Sequence, residues 1–315
     1  MFWAKLALAA LLAAALLLLI RPGAQFAPPL IAPPSDPEAA LAAREAGIDP
    51  ELAARIIWAG APGARTPLAI VYLHGFSASP EEIRPVPDDV AAALGANLLL
   101  ARLSGHGAGG DAMGDAGLDD WAQDLSQAIA IGRALGERVA VIGTSTGGTL
   151  AALGASDETL GPQIDAVVMV SPNFRLKNRA APLLSLPFAR HWLPAIAGRE
   201  RCFTPRTADH ERFWTSCYPT RALIPMASLV RAARGKTGRG QPLLILADPG
   251  DRIVDSAAAS EVAANWSGPA SFTEITTEDG DDPDRHVIAG RILSPATTPE
   301  ISRRITEFLR QTLAP

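Results

Sequence analysis

A serine lies between two glycines in the pentapeptide GTSTG at residues 143–147, directly after the apolar run RVAVI. Where a G-x-S-x-G motif joins a strand to a helix, the turn strains the serine backbone, so the residues two positions away must be glycine-sized. The hydroxyl then projects above the sheet at the positive end of the following helix. Ser145 is therefore the predicted nucleophile of an acyl-transfer reaction, and a plain strand-to-helix turn is the alternative.

The motif LHGF at residues 73–76 follows an earlier apolar run. A serine nucleophile needs two N–H donors for the oxyanion of its tetrahedral intermediate. One is the amide after the nucleophile, here Thr146, and the other comes from the loop after an earlier strand. Phe76 occupies that second position, and Gly75 lets the backbone approach the substrate. A β-turn at a capped strand end is the alternative for this loop.

The general base must come from five histidines: His74, His106, His191, His210 and His286. When the nucleophile sits on this kind of turn, the chain order is serine, then acid, then histidine. Only His286 follows the last predicted strand, so it is the predicted base. His106, in the turn SGHG at 104–107, is the main rival, although a histidine that hydrogen-bonds its own turn suits it better.

The acid that orients the imidazole is expected on the loop after the apolar run PLLILA, which reads ADPGDRIVD. Asp251 follows the glycine of this loop and precedes an apolar pair that would tuck under the sheet edge, so it is the predicted acid. Asp248 stays open as the acid or as a cap of the turn. Asp255, followed by Ser256, has the pattern of a helix N-cap.

Short apolar runs alternate with helical patterns from about residue 65 onward. This alternation predicts an α/β fold with a mostly parallel sheet flanked by helices. Strands are predicted at 68–73, 97–103, 138–143, 165–170, 242–247 and 271–276, and helices at 87–94, 118–135, 147–155, 256–265 and 298–312. Residues 172–238 break the alternation, with helix-like patterns and no convincing strand. We predict that they form a cap over the ligand crevice at the carboxyl edge of the sheet.

Taken together, these motifs resemble the α/β-hydrolase superfamily, in particular its monoacylglycerol-lipase and carboxylesterase-like branch (the serine aminopeptidase S33 type). The resemblance covers about 65–312 and rests on LHGF, SGHG, DDWAQDL, GTSTGG, DPGDRIVD and RHVI, in that order. It implies the α/β-hydrolase fold and the same site: Ser145 as nucleophile, Asp251 as acid, His286 as base, and the amides of Phe76 and Thr146 as oxyanion hole. The family more often has a small residue where this chain has Arg285.

The predicted function is hydrolysis of a carboxylic ester, with an apolar acyl group, through an acyl-enzyme. The apolar cap favours a small-molecule or lipid ester as substrate, and the reaction needs neither cofactor nor metal. A thioesterase, an amidase or peptidase, or an acyltransferase on the same triad stays open, as does a hydrolase fold that only binds ligands. A net charge of −5 argues against a nucleic-acid partner, and no oligomeric state is predicted.

The run LALAALLAAALLLLI occupies residues 6–20, between Lys5 and Arg21. Counted from Phe2 it covers 19 residues, enough to span a bilayer. Residues 1–24 are therefore predicted to be a transmembrane anchor or a signal peptide, with a buried core helix as a third interpretation. Pro-rich residues 25–40 are predicted to form a tether, and residues 41–315 the hydrolase domain. Lys5 ahead of the anchor predicts that this domain lies outside the cytoplasm. It would stay attached to the membrane by the anchor or, if the segment is a signal peptide, be secreted after cleavage.

The chain has two cysteines, Cys202 and Cys217, both in the predicted cap and 15 positions apart. An oxidising compartment would favour a disulfide between them, and closing a loop of this length stabilises a fold by about 3 kcal/mol. We predict a Cys202–Cys217 disulfide that pins the cap, with two unrelated buried thiols as the alternative.

Overall fold

The computed structural model describes Trp3, Lys5 and residues 25–313. Its strands are β1 Arg55–Ile57, β2 Thr66–Leu73, β3 Asn97–Ala101, β4 Gly136–Thr144, β5 Ala166–Val170, β6 Glu200–Cys202, β7 Cys217–Pro219, β8 Leu243–Ala247 and β9 Ala270–Glu274. Its helices are α1 Pro37–Glu45, α2 Val86–Leu94, α3 Gly110–Asp115, α4 Leu118–Leu135, α5 Thr146–Ser156, α6 Ala189–Ala197, α7 Ala208–Phe213, α8 Leu223–Ala232, α9 Ser256–Ala264 and α10 Thr298–Thr312.

Seven strands form one sheet in the order β1-β3-β2-β4-β5-β8-β9. All neighbours pair in parallel except β1, which lies antiparallel to β3 at one edge. The central strands are almost continuously apolar and buried, as expected for parallel strands that helices cover on both faces. The predicted α/β fold with a mostly parallel sheet is confirmed.

Two apolar cores lie on opposite faces of the sheet because side chains alternate along each strand. On one face Val71 of β2 packs with side chains of α4, α5 and α8. On the other face Ile70 of the same strand packs with side chains of α2 and α10. This layering holds the carboxyl ends of β2, β4, β5 and β8 at one edge, where the loops that carry the predicted site residues emerge.

Each predicted strand and helix is present, but two features differ from the prediction. The edge strand β1 was not predicted, because it has three residues and pairs with β3 rather than following an alternating pattern of its own. The segment 172–238 was predicted to lack strands, and that is wrong: β6 and β7 pair antiparallel there. Helix α8 of the same segment packs into the main core through Leu229.

The short ribbon of β6 and β7 places Cys202 directly opposite Cys217, and the two residues form the predicted disulfide. Replacing both cysteines by serine is expected to lower the free energy of unfolding by about 3 kcal/mol, because the bond closes a loop with a sequence separation of 15 residues. Denaturant unfolding of the oxidised and the doubly substituted protein measures this difference. A loss below about 1 kcal/mol would show that the loop contributes little to the fold.

The predicted anchor at residues 1–24 lies outside the described residues, apart from Trp3 and Lys5. Among the residues that are described, no helix is both long and apolar enough to cross a membrane. Residues 25–36 of the predicted tether form neither helix nor strand, and α1 then begins at Pro37. The Asp36 side chain caps this helix by accepting the Ala39 amide hydrogen.

Candidate active site

Ser145 lies alone on the turn between β4 and α5, with φ 49° and ψ −111°. This backbone conformation is rare for a residue with a side chain and is typical of strained functional turns. The two flanking glycines permit it: a Cβ on Gly147 would run into the carbonyl of Leu73, and one on Gly143 would run into the backbone of Gly147. The Ser145 amide donates to the carbonyl of Val170 at 2.9 Å, which ties the turn to β5.

Three predicted residues meet in a chain of hydrogen bonds. The His286 Nε2 atom lies 3.0 Å from the Ser145 hydroxyl oxygen, and the Nδ1 atom lies 2.7 Å from Oδ2 of Asp251. Asp251 is fully buried, and its other oxygen accepts the amide hydrogens of Ile253 at 2.7 Å and Val254 at 2.9 Å. Because the carboxylate can only accept from Nδ1, Nε2 is left free to take the Ser145 proton.

Asp248, the alternative acid, belongs to a different set of contacts. Its carboxylate accepts from the Gly250 amide at 2.7 Å and from the Thr277 amide and hydroxyl at 2.9 Å. Both of its oxygens also pair with the guanidinium of Arg285 at 2.9 Å. By holding Arg285, Asp248 therefore fixes the loop that carries His286. Arg285 itself has a left-handed backbone, with φ 55°. Asp248 makes no hydrogen bond to the imidazole of His286.

The loop before His286 is also held by Asp282, which is buried. One oxygen of Asp282 accepts the amide hydrogens of His286 at 3.1 Å and Val287 at 3.0 Å. The other pairs at 2.5 Å with Arg206 from the segment between β5 and β8. Nothing in the sequence pattern singled out Asp282, because its role depends on where the acidic loop folds back.

The pKa of His286 reflects opposing effects. Burial alone lowers it, but the hydrogen bond and charge of Asp251, together with the charges of Glu82 and Asp282, outweigh burial and raise the pKa above its ordinary value of 6.5. These surroundings favour the protonated imidazole, which is the form that a histidine takes when it accepts a proton from a serine hydroxyl.

This raised pKa predicts the pH dependence of turnover. Only the neutral imidazole can accept the Ser145 proton, so kcat/KM is expected to be full above the pKa of His286 and to fall as the pH drops through it. The midpoint of this acidic limb is expected above 6.5. A pH profile of kcat/KM measures it, and a midpoint at or below the ordinary histidine value would contradict the stabilising role of the surrounding carboxylates.

The two predicted oxyanion donors have free amides. Within residues 25–313, neither the Phe76 nor the Thr146 amide donates a hydrogen bond to a protein acceptor. The Gly75 carbonyl, on the same peptide as the Phe76 N–H, accepts from His74 Nδ1 at 2.8 Å and from the Ala78 amide at 3.3 Å. Thr146 is the first residue of α5, where the unpaired amides favour negative charge.

His74 is a neutral imidazole that holds the loop of Gly75 and Phe76 in place. Its Nδ1 must donate to the Gly75 carbonyl, and its Nε2 accepts the amide hydrogen of Leu103 at 3.1 Å. Each nitrogen thus has one partner, which fits the neutral imidazole only. Burial, with the neighbouring His106 as a second cause, holds the pKa of His74 well below its ordinary value.

His106, the rival base, is not brought to Ser145. Its ring is fully buried, and Nδ1 donates to the carbonyl of Ser104 at 3.2 Å within its own turn. The ring packs against Phe76 and Trp121, with centroid distances of 5.9 Å and 6.0 Å. Burial lowers the pKa of His106 to about 4. His106 therefore stabilises the loop of Phe76 by packing against the Phe76 and Trp121 rings.

Asn173 is a further residue of the site that the sequence did not reveal. Its side-chain amide donates to the Thr146 hydroxyl at 2.9 Å, and its carbonyl oxygen accepts the Thr149 hydroxyl at 2.5 Å. Asn173 lies just beyond β5, so it connects this strand to the first turn of α5. In the described part of the chain, no group of three or more His, Cys, Asp or Glu side chains is placed to hold a metal ion.

Comparison with known proteins identifies the family of the chain. A model of the alpha/beta hydrolase family matches residues 70–289, more than half of the chain, and the chain belongs to that family. It is similar to a thermostable monoacylglycerol lipase of Bacillus sp. (strain H-257), with 25% identity over 189 residues that cover 60% of this chain and 72% of the lipase. The monoacylglycerol-lipase-like resemblance predicted from the motifs is confirmed.

Solved structures share the fold. One from a study of LipS and LipT, two metagenome-derived lipolytic enzymes, superposes with a TM-score of 0.69 at 17% identity, covering 84% of this chain and 99% of that one. The monoacylglycerol lipase of Paleococcus ferrophilus superposes with a TM-score of 0.60 at 16% identity, covering 82% and 98%. At these identities the likeness establishes a common architecture.

Proposed function

We propose that the protein is a serine hydrolase that cleaves a carboxylic ester through an acyl-enzyme. The observation that carries the proposal is the hydrogen-bonded chain from the Ser145 hydroxyl through His286 to the buried Asp251. A serine on a strained turn, a base within 3.0 Å and an acid within 2.7 Å of that base form the arrangement that activates a hydroxyl for attack.

In the proposed reaction the Ser145 oxygen attacks the acyl carbon while Nε2 of His286 takes the hydroxyl proton. The carbonyl oxygen becomes an oxyanion that accepts hydrogen bonds from the amides of Phe76 and Thr146. When the intermediate collapses, His286 gives its proton to the departing alcohol. In the second half, His286 takes a proton from a water molecule, whose oxygen attacks the acyl carbon. His286 then returns the proton to the Ser145 oxygen, which releases the carboxylic acid and restores the Ser145 hydroxyl. Asp251 stabilises the imidazolium in both halves.

We infer an apolar acyl group for the substrate, such as that of a monoacylglycerol. The ring of Phe76 packs against Tyr218, with centroids 5.3 Å apart. Tyr218 belongs to a small apolar cluster with Met113, against which Phe203 and Leu223 also pack. An apolar wall thus lies beside the proposed oxyanion donor, and the lipase names of the relatives support the same substrate class.

Labelling with a fluorophosphonate, followed by a panel of p-nitrophenyl esters from acetyl to palmitoyl, tests this function. We expect Ser145 to be labelled and kcat/KM to rise from the acetyl ester towards longer acyl chains, with thioester and anilide analogues turned over more slowly. The matched control is Ser145→Ala, which should block labelling. A wild-type protein that is neither labelled nor hydrolyses any ester would overturn the proposal.

We further propose that residues 1–24 anchor the protein in a membrane, with the hydrolase domain outside the cytoplasm. The apolar run at 6–20 and the disulfide between Cys202 and Cys217 support this location, since disulfides persist in oxidising compartments. Cells that make the full chain should hold it in the membrane fraction, and deletion of residues 1–24 should release it. A full chain in the cytosolic fraction, with both thiols alkylated without prior reduction, would contradict the proposal.

A further inference from the structure

A buried carboxylate lies behind the proposed oxyanion hole. Glu82, on the segment between β2 and α2, is 2% exposed. Its Oε2 atom accepts the amide hydrogen of Gly75 at 2.6 Å and the hydroxyl hydrogen of Tyr72 at 2.9 Å. The Tyr72 hydroxyl also lies 3.3 Å from the Thr144 hydroxyl. One network therefore joins the loop of Phe76 to the residue just before Ser145.

In the described part of the chain, no arginine or lysine side chain forms a salt bridge with this carboxylate. The neighbouring Glu81 is buried too, but it pairs with Arg55, Arg84 and Arg291. Glu82 is held only by neutral donors, and burying a carboxyl in that way is unfavourable. Burial raises the pKa of Glu82 to about 7. The hydrogen bonds from Gly75 and Tyr72 and the charge of His286 lower this pKa, but burial outweighs them. A residue that is costly for the fold at this position is a candidate for a role in the site.

The geometry of the Gly75–Phe76 peptide indicates that role. In a trans peptide the N–H points opposite to the carbonyl of the preceding residue. The Gly75 carbonyl is fixed by His74, and the Gly75 amide is fixed by Glu82, so the Phe76 N–H can point in one direction only. A Cβ on Gly75 would lie 2.6 Å from Oε1 of Glu82, which explains why a glycine is needed for this close approach.

We propose that Glu82 is a positioning residue, which holds the Phe76 amide in place through Gly75. Through Tyr72 and Thr144, Glu82 also fixes the distance between the Phe76 amide and the Thr146 amide. This role rests on the proposed ester hydrolysis, in which those two amides hold the oxyanion. Both hydrogen bonds end on Oε2, so a proton on Oε1 leaves them intact. Glutamine, which has one carbonyl oxygen, can therefore replace Glu82, whereas leucine cannot.

The test compares Glu82→Gln and Glu82→Leu on a p-nitrophenyl ester, with kcat and KM measured separately and active sites counted by fluorophosphonate. Leucine is expected to lower kcat about 100-fold, the effect of losing one oxyanion donor, while KM changes less than about threefold. Affinity for a trifluoromethyl ketone, which forms a tetrahedral adduct on the serine, should fall by the same factor as kcat. Glutamine is expected to keep kcat within about threefold of the wild type.

Two further variants keep the test decisive if the leucine variant folds poorly. Tyr72→Phe removes one hydroxyl without a change in shape, and is expected to lower kcat about tenfold at unchanged KM. The matched control Glu81→Gln changes a buried glutamate outside the network, and should leave kcat per active site unchanged. Wild-type kcat per active site in Glu82→Leu, or in Tyr72→Phe where the leucine variant does not fold, would overturn the positioning role alone. A wild type without ester hydrolysis would instead reject the proposed function and this role together.

Discussion

Replacing Ser145 by alanine is expected to lower kcat/KM for ester hydrolysis by a factor of about 10⁶, because the substitution removes the hydroxyl on which the proposed acyl-enzyme forms. The nearest alternative, attack by water, would lack the covalent intermediate that divides the reaction into two easier steps. The fold should be preserved, since alanine keeps the Cβ that the strained turn at φ 49° already accommodates. Steady-state turnover and thermal unfolding of the same preparation measure both expectations.

Ser171 offers a matched control for this substitution. It also follows a strand directly, is fully buried and has a left-handed backbone with φ 45°. Its hydroxyl has no hydrogen-bond partner among the residues that the structure describes. Ser171→Ala is therefore expected to keep wild-type turnover, so that any loss specific to Ser145→Ala reports chemistry rather than strain. Turnover of Ser145→Ala within about tenfold of the wild type would reject the serine mechanism.

The parts of the site that could be predicted from sequence are those that a local backbone requirement determines. The glycines around Ser145 are needed because α5 and β2 approach that turn closely, and this requirement is visible in five consecutive residues. The place of His286 in the hydrogen-bonded chain could be predicted because, on this kind of sheet, the proposed nucleophile, acid and base follow one another in a fixed order along the chain. The hydrogen bond between Ser145 and His286 could therefore be predicted although the two residues are 141 positions apart.

Other residues could not be predicted, because their roles arise only when distant segments meet. Glu82 lies in a polar stretch, PEEIR, whose pattern does not distinguish it from Glu81. Only the fold shows that one glutamate pairs with arginines while the other contacts Gly75 and Tyr72. Asp282 is a similar case, since an acidic loop is ordinarily solvated and this one turns inward to hold the His286 amide.

Replacing Asp251 by asparagine is expected to lower kcat by about 10⁴ while substrate binding changes little. Oδ1 of Asp251 accepts hydrogens from the Ile253 and Val254 amides, so the carbonyl oxygen of asparagine must take that position. The NH₂ group then faces Nδ1 of His286 and donates to it. The imidazole is forced into the tautomer with its hydrogen on Nε2, which cannot accept the Ser145 proton. Separate measurement of kcat and KM tests this effect.

Asp248→Asn is the matched control, because it lies three positions away and makes the same kind of hydrogen bonds with different partners. Losing its charge weakens the pairing with Arg285, but the imidazole keeps its bond to Asp251. A loss of no more than about tenfold in kcat is therefore expected. If Asp248→Asn instead abolished turnover while Asp251→Asn had a mild effect, the acid would be Asp248. The 2.7 Å contact of the Asp251 carboxylate with Nδ1 of His286, which Asp248 lacks, argues for the opposite result.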